Sequence, residues 1–157
     1  MTTLAEKPFN FGASLAGASD AAHSLNRIMV DNVAALRADP AERRRAFDEL
    51  EEIRRDATEP NWDGLGSAPL DDATYALALR FLWALPTGSR MPEITVDRDG
   101  EVSFDWLGAE GRNFSASLRA DGRIAYAGQF SAQNRISGVA EFHEVIPKEV
   151  LAGAKQA

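Results

Sequence analysis

Side chains that can move protons are few and scattered in this chain of 157 residues. Glycosidase-like acid–base work needs two carboxyl groups held at a set separation. Asp63 with Asp71 or Asp72, and Asp105 with Glu110, are the pairs to weigh. Asp71 has a competing task, because it stands where a helix needs an N-cap. There is no cysteine, which removes disulfides, thiolate metal sites and cysteine nucleophiles. His23 and His143 are the only histidines. Neither has a ligand-type companion at i+3 or i+4, and no HExxH occurs, so both read as structural or surface residues. Asp97-Arg98-Asp99-Gly100-Glu101 resembles the start of a calcium loop but lacks the rest of an EF-hand cycle, and reads as a hairpin turn. Gly64-x-Gly66 lacks the strand and third glycine of a phosphate cradle. Gly12-Ala13-Ser14-Leu15-Ala16 lacks the second glycine of a nucleophile elbow. No cofactor and no metal is expected.

The densest local signal is Asn61-Trp62-Asp63-Gly64-Leu65-Gly66-Ser67-Ala68-Pro69-Leu70. Glycine supplies positive φ, and Asn or Asp bonds its own backbone, so this is a shaped loop. Trp62 has two readings: a plug whose indole N–H meets a backbone carbonyl, or an exposed interface anchor. Asp63 reads as the cap of the turn.

Hydrophobic spacing then places the elements that must position these residues. Residues 1–19 are small and aperiodic and read as a flexible arm that Phe9 and Phe11 can anchor on this subunit or a partner. Leu25, Ile28, Met29, Val33 and Leu36 give a first helix near 20–38. Asp39-Pro40-Ala41-Glu42 is a capping box with proline at N1, opening a second helix near 40–57. Its inner face carries Ala46, Leu50, Ile53 and Ala57. Arg44–Asp48, Arg45–Glu49 and Glu51–Arg55 are i,i+4 pairs on its outer face, so Arg43-Arg44-Arg45 reads as a solvated surface. A third helix runs from Asp71 to about Leu85, before Pro86, and is apolar nearly all round. Such a helix is buried on most sides, Trp83 included.

From Pro92 the period changes to two. Ile94/Val96, Val102/Phe104/Trp106, Phe114/Ala116/Leu118 and Ile124/Tyr126 mark strands, with another near 135–141. Asp97–Gly100 and Ala120–Gly122 are hairpin signals. Short turns demand antiparallel neighbours. Ile146-Pro147-Lys148-Glu149 opens a short terminal helix. The fold class is α+β: two or three N-terminal helices packed on a four- to five-stranded antiparallel β-meander, with a single domain over 20–157.

The cassette Asn61–Pro69, the helix end Phe81-Leu82-Trp83-Ala84-Leu85-Pro86, Pro92-Glu93-Ile94, Asp99-Gly100-Glu101-Val102, Phe114-Ser115-Ala116-Ser117 and Tyr126-Ala127-Gly128 together resemble a group of small bacterial proteins. That uncharacterised family shares an NWDG-x-G-A-x-P turn followed by a helix and a β-meander. The resemblance covers roughly residues 48–151 and implies the fold order, with no activity attached. Ser67 stands where the group more usually has alanine, and Leu65 where it has tyrosine.

Net charge is −7, with acids and bases interspersed, which argues against nonspecific binding to a nucleic-acid backbone. No apolar run has the length of a membrane span. No leader is legible, so a cytoplasmic location is expected. With no catalytic constellation, the reading is a non-enzymatic protein-binding module using Trp62, Asp63, Phe9 and Phe11. An inhibitor or regulatory partner in a bacterial or phage defence, counter-defence or toxin–antitoxin setting is the frame it suggests. Its partner is another protein, and a homodimer is open to it. One alternative is a small hydrolase-like enzyme with Asp63 as general base and Trp62 walling its pocket. Another is single-stranded nucleic-acid binding on the sheet, which needs Phe104, Trp106 and Tyr126 exposed beside Arg112, Arg119 or Arg123.

Overall fold

The computed structural model describes residues 40–157. The arm over 1–19 with Phe9 and Phe11, the helix near 20–38 and His23 lie outside the described residues. Within them, three helices (α1, Pro40–Asp56; α2, Asp72–Ala84; α3, Lys148–Gln156) accompany five strands. These are β1 (Glu93–Val96), β2 (Val102–Leu107), β3 (Asn113–Leu118), β4 (Arg123–Gln129) and β5 (Arg135–Glu141). The strands form one antiparallel sheet in the order β1-β2-β3-β4-β5, a simple meander. None of the helices is long and apolar enough to cross a membrane.

Period-two patterning sets the register. Ile94 pairs with Phe104, Phe104 with Ala116, Ala116 with Tyr126, and Tyr126 with Gly138, all on one face. Trp106, Phe114 and Gly128 make a second row on that face. Slipping one strand by a residue would send its apolar set to the other side, so burial of one face locks the pairing. Phe104, Trp106, Phe114, Ala116, Leu118 and Ile124 are all buried. A stacking platform for nucleic acid is therefore ruled out: Phe104 and Trp106 lie in the core, and Tyr126 is half-buried.

Helix α2 supplies the cover. Asp71 caps it, its carboxylate accepting from the Thr74 backbone N–H at 2.7 Å. At the other end the Leu85 N–H bonds the Phe81 carbonyl, and Pro86 prevents continuation. Phe81 stacks on Phe104 with ring centroids 4.4 Å apart and meets the edge of Phe142 at 5.5 Å. The expectation that α2 is buried on most sides fails. Its buried residues Thr74, Ala78, Phe81 and Leu82 make one stripe. Trp83, about 100° further round the helix than Leu82, is 69% exposed. A two-layer domain covers a helix on the sheet side and on the neighbouring-helix side, and leaves the third side open.

Helix α1 runs antiparallel to α2, because its two ends hold opposite ends of α2. Arg43, near its start, donates to the Leu82 and Leu85 carbonyls at 2.9 and 2.8 Å. Arg54, near its end, pairs with Asp72 at 2.7 Å and lies 4.3 Å over the Tyr75 ring. Tyr75 in turn donates to Glu51 at 2.6 Å. The i,i+4 pairs read for this helix do not close into ion pairs among the described residues. Exposed pairs of that kind are worth only about 0.2–0.5 kcal/mol, whereas Arg43, outside those pairs, reaches the next helix and satisfies its orphan carbonyls. Arg43 is thus a cap for a distant helix.

Helix α3 lies on the same sheet face. A Cβ at its Gly153 would run into the Phe114 ring, so glycine is what lets the helix axis approach the strand. The opposite sheet face has no helix over it among the described residues and carries small polar side chains. There Ser103 donates to Asp97 at 2.6 Å and shares a 2.6 Å hydrogen bond with Ser117.

Trp106 is 1% exposed, touches Phe114 and donates its indole N–H to the Arg90 carbonyl at 3.0 Å. Trp106→Ala is expected to cost about 3–5 kcal/mol, read as a lower urea midpoint with the slope of the transition unchanged.

Candidate functional site

The loop between α1 and α2 closes on itself through side chains. Asn61 takes positive φ (63°), its backbone N–H bonds the Ser67 carbonyl at 2.8 Å, and its side-chain oxygen accepts from the Gly66 N–H at 2.7 Å. Gly64 and Gly66 sit at φ 73° and 88° with open space where a Cβ would point. Backbone conformation, not crowding, requires glycine at both.

Asp63 is consumed by this turn. One carboxylate oxygen accepts from the Leu65 N–H at 2.9 Å and from the Ser67 N–H at 3.3 Å. The other accepts from the Ser67 hydroxyl at 2.6 Å, with the Arg98 guanidinium 4.0 Å away. The Ser67 hydroxyl bond, followed by the Leu65 N–H, holds the Asp63 carboxyl below its ordinary value. A general base works best with a pKa near the operating pH, and this environment pushes the other way. Ser67 is buried and supplies that bond.

Trp62 is half-buried against the core, and its indole N–H donates to the Ala68 carbonyl at 3.0 Å. Of its two readings, the plug is the one the geometry matches. The loop is then tied to the rest of the molecule by backbone bonds: the Ala68 N–H to the Arg98 carbonyl at 2.7 Å, and the Leu70 N–H to Ala57 at 2.9 Å. Gly100 belongs to this joint, since a Cβ there would lie 2.7 Å from the Pro69 carbonyl oxygen.

The remaining carboxylates do not assemble into an acid–base pair with Asp63. Asp71 caps α2 and Asp72 pairs with Arg54. Asp105 is on the outer face of β2, opposite Ser115, and Glu110 occupies a short 3-10 turn (Ala109–Gly111) at positive φ. The acids of Asp97–Glu101, read from the sequence as a hairpin turn, meet Asp71, Arg119 and Asp121, which sequence spacing does not bring to them, at the β1–β2 and β3–β4 turns. There a groove of about 220 Å³ is lined by Asp71, Asp99, Glu101, Arg119 and Asp121. Asp97, Asp99 and Glu101 bring one carboxylate oxygen each within 4.8 Å of one another. Their bonds are internal: Asp97 accepts from Ser103 and Ser117, Glu101 pairs with Arg119 at 3.2 Å, and Asp121 pairs with Arg123 at 2.7 Å. Burial and the neighbouring Asp99 charge raise the Glu101 carboxyl. A larger cleft of about 430 Å³, between the Leu85–Arg90 segment and α3, has Ser89, Arg90, Leu151 and Lys155 in its walls and no Asp, Glu or His side chain. His143 is exposed, 3.6 Å from Glu141.

Of the large apolar side chains on the described surface, Trp83 is the aromatic one, and it leans on a second ring. Its ring lies 4.8 Å from that of Phe47, and with Arg80, Ala84, His143 and Glu144 it lines an open cleft. Sequence reasoning placed this residue in the core, and its signal as a contact residue emerges only once the layers are known. No family model, curated protein or solved structure matches the chain.

Two outcomes follow from the loop geometry. Trp62→Ala should destabilise by about 2–3 kcal/mol, less than a fully buried tryptophan because the site is half-exposed, measured by chemical denaturation. A depressed folded-state pKa at Asp63 adds stability above the unfolded value, near pH 4, that is lost as pH falls through the folded value. The melting temperature should therefore fall on acidification in that window. Asp63→Asn should start lower at neutral pH and show a shallower acid limb, with Asp121, also depressed by Arg123, retaining part of the slope.

Proposed function

We propose that this chain is a non-enzymatic protein-binding module and that Trp83 is its contact residue. The observation that carries the reading is the 69% exposure of Trp83 on a helix whose other aromatics are covered, Phe81 fully and Tyr75 in part. Large aromatics bury about 150–250 Å² on contact, and tryptophan is enriched among residues that dominate binding energy. Phe47 supports the ring, so less rotamer freedom is lost when a partner covers it. Arg43 holds the carbonyl end of α2 on which Trp83 stands. The partner this face fits is a protein offering an apolar pocket for the indole and polar groups to meet Arg80 and Glu144 at the rim. Trp62 and Asp63 support this reading only as the joint that fixes α2.

Full-length chain used as bait in a native lysate should retain a stoichiometric protein partner across a range of salt. Trp83→Ala should keep the melting temperature within a few degrees, with only the Phe47 contact, worth about 0.5–1.5 kcal/mol, removed. It should weaken partner affinity by roughly thirtyfold or more in calorimetry. Absence of a stoichiometric partner at every salt concentration, or full affinity in Trp83→Ala, would defeat the proposal.

A further inference from the structure

We infer that two copies of this chain pair through β5, edge to edge and antiparallel about Gly138. The inference is independent of the reading of Trp83. Strand β5 ends the sheet. The Phe130 N–H bonds Asn134 at 2.9 Å, and the Phe142 N–H bonds Gly122 at 2.8 Å. Antiparallel alternation between these two bonds means that Ile136, Gly138 and Ala140 turn their backbone groups to β4. Arg135, Ser137, Val139 and Glu141 turn theirs away, where no further strand follows among the described residues.

The two sheet edges are built differently. Strand β1 is four residues long and entered through Pro92, both of which discourage pairing. Strand β5 has seven residues in unbroken one-to-one register with β4, with no proline, lysine or bulge. Its two charges are at its ends and opposite in sign.

Symmetry about Gly138 makes that edge complementary to itself. Arg135 falls opposite Glu141 of the second copy, and Ser137 opposite Val139, each twice. These are the four residues with outward-turned backbone groups, so all four pairs are hydrogen-bonded ones. The Gly138 pair at the axis is of the close, non-hydrogen-bonded type. Centring the pairing on Val139 instead would set Arg135 against His143, and centring it on Ser137 would set it against Val139. Charge therefore selects the Gly138 register. Arg135 faces Gln129 within its own sheet and has no carboxylate partner among the described residues. Glu141 has only an exposed ion pair with His143. Val139, 66% exposed, gains a neighbour across the junction. At Gly138 the Tyr126 hydroxyl lies 2.5 Å from where a Cβ would be, so the ring covers the glycine on the inner face and flanks the axis.

Sedimentation velocity of the full-length chain, from micromolar to millimolar, should show a reversible monomer–dimer equilibrium that weakens with salt. Arg135→Glu sets like charges opposite each other at both ends and should weaken association by about tenfold or more. The exchanged variant, Arg135→Glu with Glu141→Arg, should restore it and serves as the folding control. Ser137→Pro removes an outward donor without costing a bond to β4 and should abolish it. Hydrogen exchange should show Ser137 and Val139 amides unprotected in dilute solution and protected in the dimer. Trp83→Ala should leave the dimer unchanged. A native chain monomeric at millimolar concentration, or a dimer indifferent to both Arg135→Glu and Ser137→Pro, would overturn the inference. Protection of the Ser137 and Val139 amides in the monomer would do so as well, by showing the edge covered within one chain.

Discussion

The stacking of Phe81 on Phe104 is the contact from which the rest of the structure takes its orientation. It joins the centre of strand β2 to the last full turn of α2, and Phe142 closes on it from the segment after β5. A pair of buried rings at van der Waals distance contributes about 0.5–1.5 kcal/mol beyond the area it hides. Its larger effect is geometric. With Phe81 and Leu82 turned inward, helical periodicity leaves Trp83 no position except the open side. Arg43 then fixes the same helix end from α1, using three carbonyls that would otherwise need water. The exposed indole follows from the buried stack.

The loop Asn61–Pro69 is the polar counterpart of that apolar stack. Every feature that makes it conspicuous as a motif is used to close it: Asn61 and Asp63 accept backbone N–H groups, the glycines supply positive φ, and Trp62 reaches the Ala68 carbonyl. These bonds decide its chemistry. A carboxylate that accepts from Ser67 and Leu65 is stabilised as the anion, and its oxygens have little left for a substrate proton. The loop also carries the Ala68–Arg98 bond, which ties the helical layer to the first hairpin. Its role is to set where α2 begins.

Most of the fold was legible because the signals are local. Ile94/Val96 through Ile124/Tyr126 alternate strictly, the glycines at 100 and 122 sit in the turns their φ requires, and Asp71 caps the helix that begins at the next residue. β5 was readable with less support, since Ser137, Gly138 and Ala140 give weak alternation. What escaped depends on distant partners. Arg43 looked like one of three solvated arginines, yet it bonds carbonyls some forty positions away. Trp83 looked like core because α2 is apolar all round, and periodicity cannot say which side of such a helix lacks a cover. At the candidate site, the position of Trp62 and Asp63 on a shaped turn was readable. Which tryptophan faces solvent was not.

Exposed apolar residues are ordinary on a protein surface, so exposure alone does not single out Trp83. Leu65, Leu107, Val139 and Val145 are comparably bare. Leu65 rides on a loop whose bonds are internal, and Leu107 ends β2 beside the 3-10 turn. Val145 lies in the segment leading to α3, and Val139 is on the outer sheet face. Each is a smaller aliphatic side chain than the indole of Trp83. Trp83 differs in three respects: it is the largest, it leans on Phe47, and it stands on a helix fixed at both ends. Rigid support distinguishes a contact residue from a tolerated one, because a side chain already held in its bound orientation gives up little freedom on binding. Replacing Phe47 by alanine would uncover the side of the indole that it touches and remove that support, so affinity should fall even though Trp83 becomes more exposed.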